Sequence, residues 1–164
     1  MADAAEMVAQ RFVTRSPEET IELGRKLARE LQPSSLVVLL GELGAGKTTL
    51  TKGIAAGLGA AREDEVTSPT FTLIHEYAGD KGHAPRVYHV DLYRIENARE
   101  LETLGLEDLL AERAVVIVEW GEKLGPALRQ LAPDWPVVEI RLSAPSDTER
   151  RIEIEEIHEE GPGK

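Results

Sequence analysis

The chain contains no cysteine, which excludes disulfides, thiolate nucleophiles and cysteine–zinc sites and agrees with a reducing compartment. Aromatic residues make up only 4% of the sequence, so aliphatic side chains have to fill the core. Long hydrophobic stretches are missing too. The longest apolar runs, Leu36–Leu40 and Ala114–Val118, fall far short of the ~20 residues that cross a bilayer as a helix. The first residues, Met1-Ala2-Asp3-Ala4-Ala5-Glu6-Met7, have neither a basic start nor an apolar segment, so no secretory signal and no membrane association are expected and the cytoplasm is the default location. Positive charge is in the minority: 19 Lys and Arg stand against 30 Asp and Glu, a net charge of −11. Domains that bind nucleic acid by neutralising phosphates are usually basic. Any connection to RNA is therefore expected to run through a partner protein.

What the chain does have is 164 residues, 41% of them hydrophobic, which suits one domain with a single core. Within it, Gly41-Glu42-Leu43-Gly44-Ala45-Gly46-Lys47-Thr48 spells G-x-x-x-x-G-K-[ST], the phosphate-binding loop of nucleoside triphosphatases. Each fixed position answers a separate demand of a polyphosphate. Gly41 and Gly46 let the backbone adopt conformations closed to residues with a Cβ, so that successive N–H groups curl inward as an anion nest. Lys47 brings a point charge to the β- and γ-phosphates, and the Thr48 hydroxyl is placed to ligate Mg²⁺. The context agrees: Leu36–Leu40 reads as a buried strand running into the loop, and Leu50, Ile54, Ala55 and Leu58 recur afterwards at helical spacing. Such a helix aims its positive end at the phosphates. Gly44, Ala45, Gly46, Lys47, Thr48 and Thr49 are the expected nucleotide contacts.

Elsewhere, Ser16-Pro17-Glu18-Glu19 reads as a helix start, with Ser16 as N-cap, proline at the first helical position and Glu19 completing a capping box. Arg11–Thr14 suggests a short edge strand. Phe71–Tyr77 and Arg86–Leu92 look extended, and the Gly- and Pro-containing connection between them suits an antiparallel hairpin. Leu101 to Leu110 is helical material interrupted at Gly105. Ala114–Val118 is a second buried strand, while Val137–Leu142 and Arg151–Ile154 alternate as half-exposed strands. The expected fold is α/β: a single P-loop NTPase domain over residues 1–157, with a mixed, largely parallel central sheet flanked by helices. Residues 158–164 are expected to form an acidic, disordered tail.

A nucleotide hydrolase needs an acid to organise magnesium and a group to position the attacking water. Asp91 and Glu119 qualify because each closes a strand pattern; the alternative role for either is to cap a following turn. Thr67-Ser68-Pro69-Thr70 offers three hydroxyls after a polar loop, where a threonine can sense the γ-phosphate, although Ser-Pro is also ordinary turn vocabulary. Trp120 could stack on a base or simply pack. The four histidines show no metal-ligand spacing, and His89 reads as a structural residue on a strand face. The chain has no Asn-Lys-x-Asp guanine motif and no transporter signature, which disfavours a GTPase and a transporter ATPase. Arg94, Arg99 and Arg113 leave a small-molecule or nucleoside kinase open, with Asp91 deprotonating an acceptor hydroxyl. A non-catalytic nucleotide-dependent binding switch is the third reading.

Four motifs stand in order: Gly41 to Thr49, Thr67-Ser68-Pro69-Thr70-Phe71, His89-Val90-Asp91-Leu92-Tyr93-Arg94, and Val118-Glu119-Trp120. Together, over roughly residues 10–155, the chain resembles the bacterial TsaE family, the ATPase component of tRNA threonylcarbamoyladenosine biosynthesis. The resemblance implies Mg²⁺-dependent ATP hydrolysis that supports a paralogous transferase pair, which places the threonylcarbamoyl group on adenosine 37 of tRNA. It makes Lys47 a phosphate ligand, Thr48 a magnesium ligand, Thr70 a switch residue, and Asp91 and Glu119 the metal-site and hydrolytic acids. It also implies that the helix start at Pro17 borders the nucleotide and that Trp120 is the family's tryptophan after the acid. Two positions depart from the family pattern: Gly121 stands where many members have proline, and Glu149-Arg150 replaces a Gly-Arg pair, so that Arg150 becomes the corresponding nucleotide contact.

Overall fold

A computed structural model describes residues 5–42, 44–67, 74–78, 85–92, 95–103, 105, 108–109, 113–119 and 135–159. In chain order the elements are β1 (Ala5–Thr14), α1 (Pro17–Ala28), β2 (Ser35–Leu40), α2 (Lys47–Gly57), a single 3₁₀ turn (Glu63–Glu65), β3 (Ile74–Tyr77), β4 (Arg86–Asp91), α3 (Ala98–Thr103), β5 (Ala114–Glu119), β6 (Val137–Ser143) and β7 (Arg150–Glu159). The strands form one seven-stranded sheet in the order β1-β7-β6-β2-β5-β4-β3. Its centre is parallel, β6, β2, β5 and β4 running together, while β7, β1 and β3 join antiparallel to their neighbours. This is the mixed, largely parallel α/β fold expected from the sequence.

The apolar runs explain the centre. Every residue of β2 and β5 is buried, as expected of parallel strands covered on both faces. On one face Val37, Leu39, Val115, Ile117, Val138 and Ile140 pack with Leu23, Leu27, Leu50 and Ile54 from α1 and α2. On the other, Leu36, Val38, Val90, Val116 and Val118 form a second cluster with Leu92 and Ile95.

Helix α1 begins as its sequence says. The Ser16 hydroxyl accepts from the Glu19 N–H at 3.1 Å, and the Glu19 carboxylate accepts at 2.7 Å from the N–H of Arg15, one residue before the cap rather than from the cap itself. The helix lies against α2 almost backbone to backbone. A Cβ on Gly24 would stand 2.6 Å from the Leu50 carbonyl oxygen, and one on Gly57 would stand 2.8 Å from the Ala28 Cβ. Glycine at these positions lets α1 clamp the helix that carries the phosphate loop.

The sheet margin is longer than the alternation suggested. The expected short strand Arg11–Thr14 extends back to Ala5, and its partner continues through Glu159, two residues past the expected end of the domain at 157. Ala5–Gln10 has little β-propensity of its own; the mutual pairing of two ten-residue strands supplies the order. The β3–β4 hairpin is antiparallel as expected, with Ile74 opposite Val90 and Tyr77 opposite Val87. Among the described residues, no helix is long and apolar enough to cross a membrane.

Candidate active site

β2 delivers the chain into the loop at Gly41, and Gly46 turns it into α2 with a left-handed φ of 104°. No side chain caps that helix start, so the first N–H groups of α2 open toward the loop, a geometry that suits an anion. Gly41 backs onto the end of β6, where a Cβ would meet the Leu142 carbonyl at 2.6 Å. Ala45 is buried and Gly44 exposed. Lys47 is buried as well, and its Nζ donates to the carbonyls of Gly41 at 2.5 Å and Glu42 at 3.0 Å. The ammonium therefore ties the loop's two ends together and sits inside its curve. Thr49 is half-buried one residue beyond Thr48.

The two strand-end acids meet beside this loop. β4 and β5 pair in parallel with Asp91 directly opposite Glu119, and Glu119 in turn opposite Leu39 of β2. Both carboxylates are buried, each 3% exposed. The Thr48 hydroxyl donates to Glu119 Oε2 at 3.4 Å, which joins the loop to the acid across 71 residues of sequence. The same Oε2 is bonded to Nε2 of His89, completely buried on β4.

That last contact was not foreseen. His89 alternates correctly for a strand face, and the four histidines show no metal-ligand spacing among themselves. Only the parallel register places it diagonally from Glu119, on the face it shares with Asp91. The signal available in sequence was the pair His89-x-Asp91, whose period of two puts both side chains on one side of the sheet.

Arg150, at the start of β7, lies over the loop: its stem would be 3.8 Å from a Cβ on Gly46. Its Nη1 is within hydrogen-bonding reach of the carbonyls of Ser146 (3.1 Å), Asp147 (3.3 Å) and Glu149 (3.0 Å). The turn between β6 and β7 thus holds a cation next to the helix start. Pro17 is exposed at the first position of α1; around the glycines of the two helices, α1 approaches α2 through Ile21, Gly24, Arg25 and Ala28. Thr70 and Trp120 lie outside the described residues, as do Ser68, Pro69, Phe71 and Gly121. Just before them, the Thr67 N–H donates to the Tyr77 hydroxyl at 3.4 Å, and that hydroxyl is 3.2 Å from His75 Nδ1. Burial pushes the Tyr77 phenol above the usual tyrosine range.

A family model described as "Threonylcarbamoyl adenosine biosynthesis protein TsaE" matches residues 14–152. The chain is 37% identical over 144 residues to the tRNA threonylcarbamoyladenosine biosynthesis protein TsaE of Treponema pallidum, a match that spans 88% of this chain and 98% of that protein. It is 41% identical over 139 residues to the protein of the same name from Bacillus subtilis, spanning 85% and 80% of the two chains. Among solved structures, Bacillus subtilis YdiB aligns with a TM-score of 0.67 at 32% identity, covering 92% of this chain and 86% of the other.

Proposed function

Because this chain belongs to the TsaE family, we propose that it serves tRNA threonylcarbamoyladenosine biosynthesis as a cytoplasmic, Mg²⁺-dependent ATPase subunit. Its partners in this reading are the paralogous transferase pair that modifies adenosine 37, with tRNA reached only through them. The observation that carries the reading is the hydrogen bond from Thr48 of the phosphate loop to Glu119 at the neighbouring strand end.

The donor set fits magnesium. One hydroxyl, Thr48, and the carboxylates Glu119 and Asp91 are hard oxygen donors at one strand-end cluster. Mg²⁺ is usually held by one or two carboxylates together with substrate phosphates rather than by a closed protein cage. When bound there, the metal would neutralise charge on the phosphoryl oxygens. The protein's share is positioning. Lys47 exchanges the Gly41 and Glu42 carbonyls for a phosphate, and the N–H groups opening α2 cradle the polyphosphate. Arg150 adds a second cation from the β6–β7 turn. Glu119 and Asp91, buried and in register, divide the work of holding the metal site and orienting the attacking water. Thr70 would report the γ-phosphate to a partner, and Pro17 and Trp120 would border the nucleotide.

The test is product identity in the presence of candidate acceptors. Release of inorganic phosphate whatever acceptor is added supports a hydrolase, and accumulation of a phosphorylated acceptor would replace it with a kinase. Calorimetry with the purified transferase pair then separates a working subunit from an isolated ATPase. Tighter binding of one nucleotide state is expected, with stimulated hydrolysis, because a loop that answers the γ-phosphate alters the surface around it.

A further inference from the structure

His89 is an expensive residue for its place. Its imidazole is completely buried on the face where Val87, two residues before it, packs into the aliphatic core. Nε2 is bonded to Glu119 Oε2, yet Nδ1 has no hydrogen-bond partner among the described residues. Burying a polar atom unpaired is costly, and an aliphatic side chain would avoid the cost. The direction of the bond follows from its other partner, Glu119 read as an ionised acid. A carboxylate oxygen only accepts, so the hydrogen belongs to Nε2. In the neutral ring Nδ1 is then the acceptor nitrogen, with no donor facing it among the described residues.

The consequence falls on Glu119. The last torsion of a glutamate is soft and roughly two-fold, so a buried carboxylate at a strand end has no preferred plane of its own. Here a single oxygen, Oε2, receives both the His89 Nε2–H and the Thr48 hydroxyl, the latter at 3.4 Å. His75 on β3 meets the His89 ring edge to face, with centroids 6.5 Å apart. We infer that His89 is the positioning residue of the hydrolytic centre, its Nε2–H fixing the plane of the Glu119 carboxylate before substrate arrives. This rests on reading Glu119 as a working acid of an ATPase.

The deciding comparison is between His89→Gln, whose amide N–H can stand where Nε2 stood, and His89→Asn, one methylene too short to reach. Magnesium-dependent ATP hydrolysis, ATP-analogue affinity and melting temperature are measured for each, alone and combined with Glu119→Gln. The Asn variant is expected to lose about 10–100-fold in kcat, as partners that orient functional carboxylates commonly do, with analogue affinity little changed. The Gln variant should recover most of that loss. Combined with Glu119→Gln, either change should alter the residual rate little, because the group being positioned has lost its charge. An undiminished loss in that background, equal rates for Gln and Asn, or a Gln variant that does not fold would each overturn the inference. Wild-type hydrolysis by Lys47→Ala is a separate failure, since it would remove the ATPase reading itself. An inactive Lys47→Ala beside a fully active His89→Asn would remove only the role of His89.

Discussion

The proposed phosphate loop takes its candidate groups from consecutive residues between Gly41 and Thr49, whereas the acid cluster beside it is assembled from His89 and Asp91 on β4, Glu119 on β5 and Thr48 on α2. The first region is written in turn chemistry: a left-handed glycine, a helix start, a lysine and a hydroxyl at fixed offsets. The second exists only once strands distant in sequence pair in parallel. Local regions of this kind tolerate change elsewhere in the molecule, while the cluster depends on register and on the helix that holds Thr48 in place. Substitutions in the loop should therefore remove binding and chemistry together. Substitutions in the cluster should separate them.

The largest expected effect tests the loop side. Lys47→Ala should lower ATP hydrolysis on the order of a thousandfold, about 4 kcal/mol of transition-state stabilisation, with an unchanged circular dichroism spectrum because Leu50 and Ile54 still anchor α2. Undiminished hydrolysis would detach the loop from the chemistry. Next comes the support beneath it. Gly24→Ala forces a Cβ toward the Leu50 carbonyl and should cost about 1–3 kcal/mol of stability, the usual penalty for overpacking, read as a lower denaturation midpoint. An unchanged midpoint would mean that α1 does not clamp α2. Thr48 belongs to both regions. Thr48→Ala should weaken ATP-analogue binding roughly tenfold in magnesium and much less in chelator, by calorimetry; equal losses in both would deny it a metal role. The smallest effect is expected at Arg150→Ala, roughly two- to fivefold in affinity and fading with salt, as for a partly exposed charge. A salt-independent loss would point to packing over Gly46 instead.

The same contrast explains what could be read from the sequence. The loop, the strand before it, the capped start of α1 and the antiparallel β3–β4 pair are local patterns, and each stands where the residues put it. Asp91 and Glu119 are legible as candidates because each closes a strand pattern, though not that they face each other in register. His89 reads as a strand-face residue, and its contact with Glu119 is with a diagonal neighbour 30 positions away that no local pattern marks. Nothing local in the sequence marks Gly24; the approach of α2 that requires it is a tertiary fact. The extension of β1 back to Ala5 was invisible for a related reason, since weak strand formers are held there by pairing with β7.

The most direct measurement is on Glu119→Gln, with ATP-analogue affinity and magnesium-dependent hydrolysis determined on one preparation. A carboxylate that orients water beside an independently built phosphate loop predicts affinity close to wild type and hydrolysis lowered by about a hundredfold or more. Hydrolysis at the wild-type rate would contradict the account and leave Glu119 as a cap on the turn after β5.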